Sequence, residues 1–275
     1  MAGGATNRVM QWRRWAVVAL PFAAAFLSGA ALADDAPVLT PFSRAAGAQA
    51  PQPWRFTTLP NKLPTHFEVI SLDGKRVLKV EADQSYGNLV HSTQLPLNDT
   101  TTLAWRWRVD EFVQGADLRT RAGDDGIAKL CVFFDFPTDR LSVGERTRLA
   151  LARRATGEDV PSEALCYVWD NKEAKGTELN NAFTKRMRMI VLESGAAPGS
   201  GVWRAERRSL LADYRRAFGD EAGSTLPDVV AVAVSADADN TRGHGIAFFS
   251  DIELHGTPSM QDAAAAPKDR PTQGE

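Results

Sequence analysis

The sequence predicts a mainly β protein: a two-sheet antiparallel β-sandwich of jelly-roll type with one or two short helices. Three observations predict it. Short runs of β-branched and aromatic residues recur along most of the chain, turn-forming residues separate them, and only two stretches carry helix signals. The most informative run is Val229 to Leu254, where two β-type segments are joined through Asp237-Ala-Asp-Asn-Thr-Arg-Gly243, a turn crowded with oxygen ligands.

Taken in order, the first 33 residues read as a cleaved secretory signal. Arg8, Arg13 and Arg14 precede an apolar stretch from Trp15 to Leu32, and Ala31-Leu32-Ala33 supplies a small-x-small cleavage site before Asp34. The alternative is an uncleaved anchor, since about 18 apolar residues just span a bilayer; Pro21 and Gly29 interrupt the run and favour cleavage. The expected location is therefore periplasmic or secreted, with no stable membrane span once the signal is removed. Cleavage takes away three arginines and no acids, leaving 29 basic against 34 acidic side chains. A mildly acidic chain disfavours nucleic-acid binding, which needs a basic surface. Residues 34–53 and 257–275, rich in Ala, Pro and Gln, lack an apolar period and are expected to be a disordered linker and a disordered tail flanking one β-sandwich domain over 54–256. Nothing in the sequence sets the oligomeric state.

Within that domain, Thr65 to Leu72 and Arg76 to Ala82 flank Asp73-Gly74, a strong hairpin signal. The next expected strands are Asn88 to Gln94, Thr102 to Val109, Ile127 to Phe136, Glu163 to Asp170, Arg186 to Glu193, Val202 to Ser209, Val229 to Ala236 and Ile246 to Leu254. Two helices interrupt them. Ser142-Val-Gly-Glu145 has the form of a capping box before a run to Ala155, and Leu210 to Phe218 stops at Gly219. Cys131 and Cys166 each sit in a β-type run. An oxidising compartment would bridge them, and strands too far apart would leave two buried thiols; both outcomes are open.

Alternation assigns faces. Leu103, Trp105, Trp107 and Val109 share one side of a strand, with Arg106, Arg108 and Asp110 on the other; the two tryptophans read as core. Met187, Met189 and Val191 oppose Arg186 and Arg188, while Trp203, Ala205 and Arg207 oppose Arg204, Glu206 and Arg208. If these polar faces lie in one sheet, they form a charged concave surface suited to acidic or polyhydroxylated ligands. Otherwise they are solvated faces laced with ion pairs.

The acidic loops are the sharper candidates. Asp237, Asp239 and Asn240 end one strand, Asp251 follows on the returning one, and Gly123-Asp-Asp-Gly126 precedes another. Oxygens concentrated in this way suit calcium, with Asp237, Asp239 and Asn240 as ligands, or the hydroxyls of a sugar. They also suit ordinary turn chemistry, and no glutamate stands at the twelfth position of an EF-hand loop. A carboxylate pair such as Asp237 with Asp251 could in principle cleave a glycoside. No Gly-x-Ser-x-Gly motif and no paired-histidine metal spacing occurs.

The succession Leu103-Ala-Trp-Arg-Trp-Arg-Val109, Gly123-Asp-Asp125, Leu165-Cys-Tyr-Val-Trp169, Trp203 with Glu206-Arg-Arg208, Asp213-Tyr214 with Phe218-Gly219, and Asp237-Ala-Asp-Asn-Thr241 ahead of Asp251-Ile252 resembles the secreted bacterial family known as domain of unknown function 3047. The resemblance runs over roughly residues 54 to 255. Where that family has Thr-Asp before the Asp-x-Asp-Asn-Thr element, this chain has Ser235-Ala236. The resemblance implies a compact exported domain and no particular reaction. The expected function is binding of a polar ligand, a glycan above all, through Asp124, Asp125, Asp237, Asp239, Asn240, Asp251, Arg106 and Arg108, with Trp169 and Glu206 of the motifs added. A glycan-degrading hydrolase or lyase, and a structural or protein-interaction domain of the cell envelope, are the alternatives.

Overall fold

Alternating runs close into two stacked sheets in the computed structural model, which describes Met1 and residues 38–157, 159–195, 201–219, 221 and 225–257. Residues 1–34 and 35–275 form two separate units, and every described residue except Met1 lies in the second. The expected signal peptide and, apart from Thr257, the expected tail fall outside the described residues.

The strands are β1 (Arg55–Thr57), β2 (Leu63–Pro64), β3 (His66–Leu72), β4 (Lys75–Asp83), β5 (Ser85–Leu95), β6 (Thr102–Glu111), β7 (Gly126–Phe134), β8 (Glu163–Asp170), β9 (Glu178–Asn180), β10 (Met187–Ser194), β11 (Arg204–Ser209), β12 (Val229–Asp237), β13 (His244–Phe249) and β14 (Glu253–His255). An eight-stranded sheet runs β1-β5-β12-β7-β8-β10-β9, with β2 beside β5. A six-stranded sheet runs β11-β6-β13-β4-β3, with β14 beside β6. Every expected strand has a counterpart, although Ile246 to Leu254 divides into β13 and β14. Pairing is antiparallel except between β8 and β10 and between β2 and β5.

Local chemistry accounts for the turns and helices. Asp73 and Gly74 both take positive φ, at 52° and 73°, as a two-residue hairpin with the twist of its strands requires. Helix α1 (Val143–Thr156) begins at Ser142 with both halves of the capping box made and ends at Gly157 in the left-handed region. Helix α2 (Leu210–Phe218) is capped by the Ser209 side chain and buries Leu210, Tyr214 and Phe218.

Between the sheets, the apolar face of β6 meets β8. Trp105 lies 5.3 Å from Tyr167 and Trp107 lies 5.9 Å from Trp169, ring centre to ring centre. A second, smaller core covers the outer face of the larger sheet, where Leu118, Val168 and Met189 surround Cys131 and Cys166. These cysteines are direct cross-strand partners of β7 and β8 and form a disulfide.

The segment ahead of β1 departs from expectation. Residues 38–53 are an ordered strap in which Leu39, Phe42 and Ala45 are buried and Phe42–Arg44 forms a 3-10 turn. The strap is held by Val38 N–H donating to Leu254 O (2.9 Å), Thr40 N–H to His91 Nε2 (3.1 Å) and Trp54 Nε1–H to Thr40 O (2.7 Å). Three apolar side chains, too few to give a period, suffice because they cover an edge that the sandwich leaves open.

Candidate functional site

Two polar regions contain most of the expected site residues. The first lies where β12 ends beside the start of β7. A register shift between Ser235 and Asp237 brings Asp237 opposite Gly126, and the turn into β13 closes with Gly243 N–H on Ala238 O (2.9 Å). Asp124, Asp125, Asp237, Asp239 and Asn240 therefore converge. Their polar groups are largely spent on one another and on neighbours. Asp125, fully buried, accepts from the backbone N–H of Asn240 (3.2 Å) and of Thr241 (2.7 Å) and from Thr241 Oγ1–H (2.7 Å). Asn240 Nδ2 donates to Asp124 O, Asn181 Nδ2 donates to Asp124 Oδ2 (2.6 Å), and Lys62 pairs with Asp239. Among the described residues only Asp124 Oδ1 is buried here without a partner.

At the centre stands Lys129, a lone cation in an otherwise apolar strand. Its Nζ donates to both oxygens of Asp237, at 2.6 and 2.8 Å, and Gly126 N–H donates to Oδ1 at 2.7 Å. Burial pushes the Asp237 carboxyl up to about 6, with the lysine pulling the other way. Burial would lower Lys129, but the attraction of Asp237, then of Asp124, outweighs it and leaves the ammonium raised. Burial also raises Asp124 and the Tyr86 phenol.

This arrangement does not fit calcium. An ammonium already occupies the cationic position against Asp237, a second lysine engages Asp239, and Asn240 turns its amide nitrogen toward a carbonyl. Among the described residues no group of three or more His, Cys, Asp or Glu side chains is placed to hold a metal ion. His244, the first residue of β13 after the acidic turn, is held between Glu111 (3.1 Å) and Glu81 (3.3 Å), and Glu111, foremost of the two, raises its pKa.

Asp251 is not part of the cluster. It lies beyond Phe249, past the end of β13 that is away from the acidic loop. There it accepts from Ser43 N–H (2.8 Å) and Ser43 Oγ–H (2.6 Å), fastening the strap. Among the described residues Asp237 and Asp251 thus share no partner, and nothing joins them as a glycosidase carboxylate pair.

The second region is a notch on the outer face of the smaller sheet, where the chain breaks between β13 and β14. It is an open cleft of about 590 Å³ lined by Ser43, Arg76, Arg106, Glu206, Ser250 and Asp251, among others. Arg106 is exposed, and its guanidinium lies over the Trp203 ring, 5.3 Å from the ring centre. Arg108, beside it, is committed to Asp110 through two bonds of 2.5 and 2.7 Å.

The expected charged concave face does not form. In the register of β11 with β6, Glu206 stands opposite Trp105, Arg204 opposite Trp107 and Arg208 opposite Leu103, so the charged side of β11 shares the inner face of the sheet. Arg106 and Arg108 point the other way. Trp169 is not a ligand platform either: it is 3% exposed and packs on Trp107 and Phe112.

Other motif residues dock α2. Arg208 makes a bidentate pair with Asp213 (2.7 and 2.6 Å), which also accepts from Tyr167 OH at 2.8 Å. Tyr214 OH donates to Glu163 (2.9 Å), itself paired with Arg186. Sequence reasoning missed Lys129, Asn181, Ser43 and Arg76. Only Lys129 carried a signal, as an isolated charge within Ile127 to Phe136.

The chain matches the model of DUF3047, protein of unknown function, over residues 52–253. No curated protein matches it in sequence. Among solved structures it is similar to TmCBM61 in complex with beta-1,4-galactotriose, at 12% identity, 80% coverage of this chain and 99% of that one, and a TM-score of 0.35. It is also similar to the xyloglucanase domain of NopAA, a type three effector from Sinorhizobium fredii, in complex with cellobiose (10% identity, 74% and 93% coverage, TM-score 0.41). A third is Trichoderma harzianum endoglucanase 3 from family GH12 (12% identity, 75% and 99% coverage, TM-score 0.35). Identities and TM-scores this low leave the ligand to be argued from the chain's own residues. The family match, by contrast, spans most of the chain and every motif from Leu103 to Ile252: the chain belongs to the DUF3047 family.

Proposed function

We propose that this protein is an exported β-sandwich that binds a polyhydroxylated ligand, a glycan, in the notch on the outer face of the smaller sheet. The observation that supports this reading is the cleft itself. Its volume, about 590 Å³, falls within the roughly 300–1,000 Å³ of small-ligand sites. It combines an exposed guanidinium positioned over an indole with two serines and a carboxylate, which is the mixture of flat donors and hydroxyl partners that sugar recognition uses. A cross-strand disulfide supports an oxidising compartment.

A glycan array with the purified protein tests this reading. Binding to at least one glycan class is expected, and Arg106→Ala should weaken it roughly tenfold or more. Silence across neutral and acidic glycans, or binding untouched by Arg106→Ala, would remove the notch from the function.

A further inference from the structure

The notch is lined by as many acids as bases: Glu206, Asp251 and Glu253 against Lys75, Arg76 and Arg106. Their availability is unequal. Both oxygens of Asp251 accept from Ser43. Glu206 shares the face of Trp105, so its carboxylate is directed to the opposite side of the sheet from Arg106. Only Glu253 remains at the rim, 3.7 Å from His255 Nε2.

The bases are much freer. Among the described residues no carboxylate pairs with Arg106, whose guanidinium rests over Trp203, nor with Lys75, which is exposed. Arg76 gives Nη2 to Gly47 O and shares the inner face of β4 with Leu78 and Val80, so it does not stand beside Arg106. A guanidinium held over an aromatic ring keeps its edge free for an in-plane, two-bond contact with an oxyanion.

We infer that the notch takes an anionic sugar, one bearing a carboxylate or a sulfate ester, with Arg106 as the principal clamp on the anion and Lys75 as a supporting donor. This rests on the reading that the notch is the ligand site and narrows it to one chemical class. Hydroxyl groups of the same sugar donate to Ser43 Oγ and Ser250 Oγ, whose own protons go to Asp251, and Arg106 and Lys75 offset the charge that Asp251 keeps.

Calorimetric titration of the full chain tests it, with three probes: trigalacturonate, its methyl ester, and a sulfated neutral trisaccharide. At least one anionic probe should bind roughly tenfold or more tightly than the methyl ester, and the preference should shrink as salt is raised. Arg106→Gln should abolish the preference without moving the melting temperature, and Lys75→Gln should reduce it. Arg148→Gln, an exposed arginine on α1, should leave it intact. Which anionic probe wins identifies the anion as carboxylate or sulfate ester. Equal or tighter binding of the methyl ester would overturn the inference while leaving the notch as a glycan site. Binding of none of the probes, together with a silent glycan array, would overturn both.

Discussion

Where β12 meets β7, four aspartates gather within reach of one another, and nearly every oxygen already has a donor from Lys129, Lys62, Asn181, Thr241 or the backbone. At the notch near Asp251 the acids are fewer, and the guanidinium of Arg106 meets no carboxylate among the described residues. The first region has the residue composition of a binding site and the hydrogen bonding of a structural joint. The second has the weaker composition and the unmet donors. What distinguishes them is satisfaction of polar groups, because a buried group whose bonds are complete gains nothing from a ligand.

That contrast can be broken most sharply at Lys129. Replacing it by Met leaves the Asp237 carboxylate buried without its cation and should cost about 3–5 kcal/mol, read from urea unfolding. Lys129→Met with Asp237→Leu should recover most of the loss; a single variant as stable as the wild type would show the pair to be no joint. The disulfide two residues along β7 closes a sequence separation of 35, so in the chain-entropy model reduction should cost about 4 kcal/mol. Urea midpoints with and without reductant measure it.

Asp237 also gives a pH signature of unusual sign. Its folded pKa of about 6 lies above the ordinary 3.8, so the folded state holds the proton more tightly than the unfolded chain between those values. Its contribution is fully present below pH 3.8 and is lost as pH rises through 6, on the order of 3 kcal/mol. Asp117, whose carboxyl is lowered chiefly by Lys172, behaves oppositely: its contribution is present above the unfolded value and fades on acidification. The stability difference between wild type and Asp237→Asn, followed from pH 7 to 4, should therefore grow in favour of the wild type, and a flat difference would contradict the assignment.

Smaller effects belong to the notch. Asp251→Ala frees the Ser43 contacts and should destabilise by about 1 kcal/mol, as loss of a cap does. Arg106→Ala should stay within about 0.5 kcal/mol of the wild type while removing ligand binding. A large loss of stability in Arg106→Ala would make the notch a joint as well, and the comparison would collapse.

Much of the scaffold was legible before folding. Asp73-Gly74, the Ser142 capping box and the alternation through Leu103 to Val109 act over a few residues and gave the same elements in the structure. The strap was not legible, because Leu39, Phe42 and Ala45 have no local period and the strap is fixed by partners distant in sequence, among them His91, Asp251 and Leu254. The parallel pairing of β10 on β8 was equally hidden, since alternation does not encode strand direction. At the candidate site, the joining of Gly123 to Gly126 with Asp237 to Asn240 could be anticipated from turns at strand ends. The face taken by Glu206 could not, because β11 has no strongly apolar side to orient it.

By itself the sequence determined period, turn chemistry, caps and the family, all of which depend on neighbours in the chain. Tertiary structure alone decided which charges were already spoken for. Lys129 meets Asp237 across 108 residues and Ser43 meets Asp251 across 208, and satisfaction of a polar group depends on what lies within 3 Å of it in space. The physical reason is that hydrogen bonds and desolvation act over ångströms, whereas sequence patterns report only on the residues of one turn or one strand.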